Sequence, residues 1–366
     1  MPYSTFRVAV PSISTSRFAA TGLRDFARAL LLHAGLDAAF ANDVSDILLE
    51  GDLLGHDTHG LALLAPYLAE IDRGSMMQSG SYQVLNSRSS VAAWDGMRLP
   101  GPWLVRRAID AAMSMAKEHG SGTITIRRSH HIACLAAYLK QATDEGMVIQ
   151  LVCSDPNSAS VAPFGGTRAV FTPNPLAIGF PTEGDPVWID ISASLTTNGM
   201  TGRLHRQGRK LAHPWLLDAQ GSPSRDPAVM FASPQGTILP LGGTEAGHKG
   251  YGLALTVEML TGGLAGFGRA DPREGWGATV FVQIMDPEAF GGRAALQTQM
   301  QWIADACRSN PPLAGLPAVR MPGDGGLARR REQLVSGVRL NAEILPALGT
   351  WAEKYSVSLP QAIQAK

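Results

Sequence analysis

Cysteine is scarce: three residues in 366, at Cys134, Cys153 and Cys307. Three thiols cannot build a disulfide framework, and the odd count leaves at least one free. None stands in a Cys-x-x-Cys pair, which argues against a thiolate zinc site. A charge surplus is also missing, since 31 Lys+Arg cancel 31 Asp+Glu. A nucleic-acid binder would carry a basic excess, so that class of partner is disfavoured. No hydrophobic run is long enough to span a bilayer, because the most apolar stretch, residues 250–266, is broken by Glu258 and several glycines. Met1 to Val10 lacks the apolar run and small-residue cleavage site of a secretory signal, so a cytoplasmic protein with no membrane partner is expected. Two phosphate-cradling glycine patterns are missing too. There is no P-loop, and no clean Gly-x-Gly-x-x-Gly lies between a strand and a helix, so a Rossmann cofactor site is not supported.

What remains is a globular composition, 45% hydrophobic and 17% charged. At about 150 residues per domain the length allows two to three domains. Apolar residues at helical spacing predict two helices over 16–54, another over 60–71 and one over 104–119. From Thr123 the texture changes to short β-branched runs bounded by Gly, Pro, Asn and Ser. Strands are predicted at 123–126, 147–152, 169–172, 176–180 and 187–191, with a helix at 132–143. Another strand is predicted at 91–94, a helix at 250–264, a strand at 279–285, and helices at 295–308 and 326–355. The expected fold is α/β. A β-rich domain at 121–289 is inserted between a helical part at 1–120 and a helical part at 290–366, and the two helical parts pack together.

Four polar constellations stand out. Gly55-His-Asp-Thr-His-Gly60 sets His56 and His59 three apart, a spacing that shares one helix face. The pair could ligate a metal, but a helix junction with one satisfied histidine is the commoner outcome. Arg127-Arg-Ser-His-His-Ile132 follows a strand, where His130 and His131 are either proton carriers or plain surface histidines. Cys153-Ser-Asp-Pro156 ends a second strand, followed by Thr172-Pro-Asn-Pro175. Asp155 could orient an imidazole there, or simply start a turn. Gly247-His-Lys-Gly-Tyr-Gly252 opens an apolar helix, and its amides and Lys249 make a plausible anion site. Spacing alone therefore points to an acid/base enzyme with an anionic ligand.

Taken together and in this order, the motifs resemble the malate/L-lactate dehydrogenase family of NAD(P)-dependent 2-oxoacid oxidoreductases, over about residues 18–356. That family is distinct from the Rossmann lactate and malate dehydrogenases. It also holds ureidoglycolate, sulfolactate and hydroxycarboxylate dehydrogenases, 2,3-diketogulonate reductase and cyclic imine reductases. The resemblance implies a non-Rossmann, sulfolactate-dehydrogenase-like fold and a homodimer with the active site near the interface. It implies NAD or NADP as cofactor, with NAD favoured, and no metal.

Gly55 to Gly60 with Tyr67 is similar to the family's G-H-D-S-H-G segment on the substrate pocket. Ser129-His-His131 is similar to its S-x-H motif, which makes His131 the acid/base, with Asp155 holding its tautomer. His59, Tyr67 and Asn174 (in a turn resembling T-N-P) would then meet substrate. Ser154, Asp190, Ile191, Ser192, Lys249, Trp276, Gly277 and Ala278 would meet cofactor. One departure concerns the substrate carboxylate, because Leu63 stands where many relatives carry an arginine. The implied reaction is hydride transfer between nicotinamide C4 and C2 of a small 2-oxo or 2-hydroxy acid. Its rivals are reduction of a cyclic imine acid and a metal enzyme built on His56, His59, His130 and His131.

Overall fold

Leu23, Phe26, Ala27, Leu30 and Leu31 recur on one buried face of helix α1 (Ala20–His33). Helix α2 (Ala38–Leu54) is apolar over most of its circumference and runs through the core, ending where Gly55 takes φ +89° as a left-handed cap. The computed structural model describes residues 13–363; Met1 to Val10, read above for a secretory signal, lies outside the described residues.

After a short strand β1 (Ile13–Phe18), α1 and α2, the chain runs through α3 (Leu64–Asp72), β2 (Gln83–Arg88), β3 (Val91–Asp95) and α4 (Gly101–His119). It continues through β4 (Ser121–Ser129), α5 (Ala136–Thr143), β5 (Val148–Ser154), β6 (Pro175–Phe180), β7 (Val187–Ser192) and α6 (Asn198–Arg206). Three two-residue strands follow, β8 (Leu216–Leu217), β9 (Pro223–Ser224) and β10 (Thr237–Ile238), and then α7 (Gly243–Glu258) with a π-helical turn at Met259–Gly263. The last elements are β11 (Ala278–Met285), α8 (Arg293–Arg308), α9 (Asp324–Ser336), β12 (Val338–Asn341), α10 (Ile344–Tyr355) and β13 (Ala362–Ile363).

Seven strands form the main sheet in the order β2-β3-β4-β11-β5-β6-β7. Only the β3–β4 pair is parallel. β11 is the central strand, with Val280 opposite Ile126 on β4 and Cys153 on β5. Its side chains alternate between two cores. Val280, Val282 and Ile284 join the large core under α2, α4 and α5, whereas Phe281 packs with Val152 and Val257 beneath α7. Both faces are covered, so β11 reads as an almost unbroken apolar run. Each fully buried Leu or Ile in these cores contributes roughly 1.5–3 kcal/mol. α9 packs on α2, and α10 on α1 and α3, so the C-terminal helices close over the N-terminal ones.

The structure departs from the periodicity at several points. Residues 169–172 pair only through an isolated bridge, Phe171 with Val161, because prolines at 173 and 175 end the run. The helix expected at 132 begins at Ala136, after Ala133 takes φ +59°. The helix expected at 250 begins at Gly243 and kinks at Ala246, which places Lys249 inside α7. Residues 326–355 are two helices, since Gly337 at φ +93° turns the chain into β12. β2 and α6 carried no readable period, as β2 is exposed on both faces and α6 is mostly polar.

Candidate active site

The C-terminal ends of β4 and β5 open onto a cavity of about 890 Å3, closed by the turn after α2, the start of α6 and the chain before β11. Non-glycine residues in left-handed backbone conformations flank it, Arg128 at φ +54° and Ala133 at φ +59° on either side of the histidine pair. Such strain persists only where the surroundings over-determine the chain, and here it turns His131 toward the cavity.

Adjacent histidines have separate fates. His130 is fully buried, with its Nε2 3.3 Å from a Glu70 carboxylate oxygen and its Nδ1 accepting the His131 amide at 2.8 Å. His131 lines the cavity. Its Nδ1 lies 2.8 Å from the Tyr67 hydroxyl, which donates to the His131 carbonyl at 3.0 Å. A hydroxyl has one proton, so a Tyr67 committed to the carbonyl is an acceptor for Nδ1–H, and the Nε2 lone pair is then left for a ligand. The Ala133 amide donates to the same Nδ1 at 3.2 Å, a contact that suits the opposite tautomer and is longer than the Tyr67 contact. Trp276 packs against the imidazole with ring centroids 4.7 Å apart. Arg98 holds Trp276 by donating to its carbonyl at 2.9 Å. Burial, with His59 and His130 nearby, pushes the His131 pKa well below the usual histidine value, so its resting form is neutral.

His59 sits across the cavity, its ring 6.1 Å from that of His131 and its Nδ1 2.9 Å from the Thr58 hydroxyl. Burial above all, then the neighbouring His56 and Arg203, lowers its pKa to about 4. Because α2 stops at Leu54, His56 and His59 stand on a turn rather than a shared helix face, and they point to different walls. His56 joins Cys134 and Asp190, whose N, S and O ligand atoms lie within 4.8 Å of one another, a donor set that a soft divalent cation could use. Asp190 also accepts the Ala136 amide at 2.9 Å, fixing the start of α5.

The other residues singled out by sequence fall into three groups. Asp155, Ser192, Trp276 and Gly277 reach the cavity wall with His59, His131 and Asp190. Asp155 accepts the Asn157 amide at 3.0 Å; the group that meets His131 Nδ1 is the Tyr67 hydroxyl, not this carboxylate. Tyr67 itself is fully buried behind His131 rather than exposed to a substrate. Ser154 and Asn174 are buried just outside the wall, both donating at 2.8 Å to Glu258, which is paired with Arg269 at 2.7 Å. Ala278 is buried in the β4–β11 ladder, while Ile191 and Lys249 are exposed outside the lining. Sequence reasoning missed Glu258 and Arg269 as partners of the motifs. Their only signal was a carboxylate interrupting an otherwise apolar helix.

The residues present suit a nicotinamide dinucleotide. The wall offers the apolar faces of Trp276 and Leu195, and a carboxylate at Asp190 able to accept hydroxyl protons. It also presents the first turn of α6, where Thr197 caps only the Met200 amide, at 3.2 Å.

A neutral imidazole with one nitrogen fixed and the other facing a large cavity is the equipment of an enzyme that transfers a proton to or from a bound substrate. The sequence matches the family model described as malate/L-lactate dehydrogenase over residues 18–349, and the chain belongs to that family. It is 29% identical to an L-lactate dehydrogenase of Cupriavidus necator over 93% of this chain and 99% of that protein. Among solved structures, malate dehydrogenase from Entamoeba histolytica superposes with a TM-score of 0.89 at 24% identity, covering 95% of this chain and 100% of that one. The sulfolactate dehydrogenase of Methanocaldococcus jannaschii superposes with a TM-score of 0.82 at 22% identity, covering 93% and 98%. The fold is the one shared by these sulfolactate and malate dehydrogenases.

Proposed function

We propose that the protein interconverts a small 2-hydroxy acid and its 2-oxo acid at the cavity between β4, β5 and α6, with NAD favoured over NADP. A nicotinamide cofactor, which the family implies, supplies the hydride acceptor or donor when bound. The chain's own residues manage the proton and the placement. In oxidation, His131 Nε2 takes the proton of the C2 hydroxyl; the imidazolium so formed keeps its Nδ1–H on Tyr67, whose own proton rests on the His131 carbonyl. In reduction the same nitrogen returns the proton. His59 Nε2 meets the substrate carboxylate or carbonyl, and Trp276 excludes water from the imidazole. Asp190, Ser192 and the first turn of α6 hold the cofactor, within a cofactor part assigned to residues 121–289. The arrangement of His131 carries the reading, since it leaves one titratable atom of a neutral ring facing the cavity.

One observation supports NAD. Arg203, largely buried, is paired with Asp57 at 2.9 Å and donates to the Asp57 carbonyl at 2.9 Å, so it is not free for a ribose 2′-phosphate. A homodimer is supported by the apolar stripe that α7 and its extension leave exposed at Leu255, Met259 and Leu264. Work in the cytoplasm is supported by the three free thiols. The test is absorbance of reduced nicotinamide, with purified protein, a panel of 2-hydroxy acids and either oxidised cofactor. Formation of reduced cofactor, faster with NAD, is expected; no reduction with any acid would overturn the proposal.

A further inference from the structure

The cavity wall carries carboxylates and no permanent cation. Asp57, Asp155 and Asp190 line it, whereas no lysine or arginine among the described residues does. Among the described residues, four guanidiniums lie behind the wall: exposed Arg329 stands against Gly55, Arg269 is paired with Glu258 and donates to the Ser158 carbonyl, and Arg203 and Arg98 are committed too. Arg203 pairs with the Asp57 carboxylate and donates to the Asp57 carbonyl, each at 2.9 Å. Arg98 donates to the carbonyls of Ser75, at 3.2 Å, and Trp276, at 2.9 Å. Leu63, four residues beyond His59, presents an aliphatic side chain to the cavity.

The wall also solvates anions poorly. Burial pushes the Asp155 and Asp190 carboxyls above the usual carboxylate value, and a substrate carboxylate brought against the same surface meets the same penalty. One such group can be met by neutral donors such as His59, with the first turn of α6 left to the cofactor. A second has no lysine or arginine of the wall to meet it, and beside Leu63 it faces an aliphatic surface. We propose that the substrate bears a single anionic group. It is a 2-hydroxy monocarboxylate with no acidic group beyond C2, and 2-hydroxy dicarboxylates and sulfonates are rejected. The inference rests on the hydroxy-acid reading above and selects within it.

The test compares kcat/KM for L-lactate and 2-hydroxybutyrate with that for L-malate and sulfolactate at fixed NAD. An uncompensated buried anion weakens the dianions by about a hundredfold or more. Equal or better use of malate or sulfolactate would overturn the inference while leaving the dehydrogenase reading standing. No reduction with any of the four acids would instead take down that reading and the inference with it. Leu63→Arg is the second variant, expected to raise kcat/KM for malate relative to lactate by about tenfold or more. A ratio that does not move would show that the missing cation does not set the selectivity. Binding gives an independent readout: oxamate, a monoanion, should quench tryptophan fluorescence at concentrations about tenfold or more below those needed for ketomalonate, a dianion.

Discussion

Two buried polar clusters flank the cavity and are built on opposite principles. On one side His131, His59, Tyr67 and Trp276 meet through neutral groups, with no carboxylate on either cavity imidazole among the hydrogen bonds of the described residues. On the other, Glu258 collects Ser154, Asn174 and the Arg269 guanidinium on one carboxylate oxygen. The first cluster keeps a group that burial holds neutral, with the Tyr67 hydroxyl beside its Nδ1 when it gains a proton. The second pairs fixed charges and satisfies them internally, which makes it a brace for the ends of β5 and α7 rather than a reagent.

Truncating each cluster should separate chemistry from stability. His131→Ala should lower turnover by about 10²–10⁴-fold, the usual contribution of a positioned acid/base, while the Kd for reduced cofactor stays put. Unchanged turnover would remove His131 from the reaction. Glu258→Ala leaves Arg269 largely buried without its partner and should reduce unfolding free energy by about 3–5 kcal/mol, read from urea titration. A loss below about 1 kcal/mol would mean that the brace carries no load.

A third contrast concerns pH. Native His59 and His130 have pKa values lowered to about 4, so both stay neutral where an unfolded histidine, near 6.5, would gain a proton. Protons then bind the unfolded state preferentially, and stability falls as pH drops from about 6.5 toward 4. Asp52 has the opposite sign. Burial raises its carboxyl from 3.8 to about 8, so the native state holds a proton that the unfolded state has lost. Its contribution therefore declines as pH rises toward 8, by about 2 kcal/mol between pH 6.5 and 8. Asp52→Asn keeps an oxygen for the Leu61 amide, which Asp52 accepts at 2.7 Å, and should abolish that alkaline decline in urea titrations. A decline that persists in the variant would assign it to other groups.

How much of this was legible depends on whether a residue's signal is local. α1 and α4 announce themselves because their core residues sit three to four apart, and β11 because it is an almost unbroken apolar run. The motifs were legible as polar clusters, and His59, His131, Asp155 and Asp190 do line one cavity. Which way each side chain faces was not legible, because that depends on partners far along the chain. Ser154 turns to Glu258, 104 residues away, and Tyr67 to His131, 64 residues away. Lys249 read as a helix-opening residue since nothing local reveals that Gly242, at φ +97°, starts the helix earlier. Nor could composition show that Arg203 would be spent on Asp57.

The smallest expected effect is the sharpest test of the contrast between the clusters. Tyr67→Phe retains the ring, which packs at 5.5 Å from Trp276 and 5.8 Å from His130, so the fold and the Kd for cofactor should stand. Only the hydroxyl at His131 Nδ1 is lost. The charged imidazole then has no acceptor for its Nδ1–H, whereas the neutral ring can change tautomer and accept the Ala133 amide at that atom. The charged form is destabilised more, so the acidic limb of the kcat/KM profile should move to lower pH. Loss of one buried hydrogen bond should cost about tenfold in kcat, with KM little changed. Asp155→Asn provides the counter-case. If the carboxylate rather than the phenol set the His131 tautomer, Asp155→Asn would shift that limb and Tyr67→Phe would not. The 2.8 Å contact at Nδ1 requires the reverse.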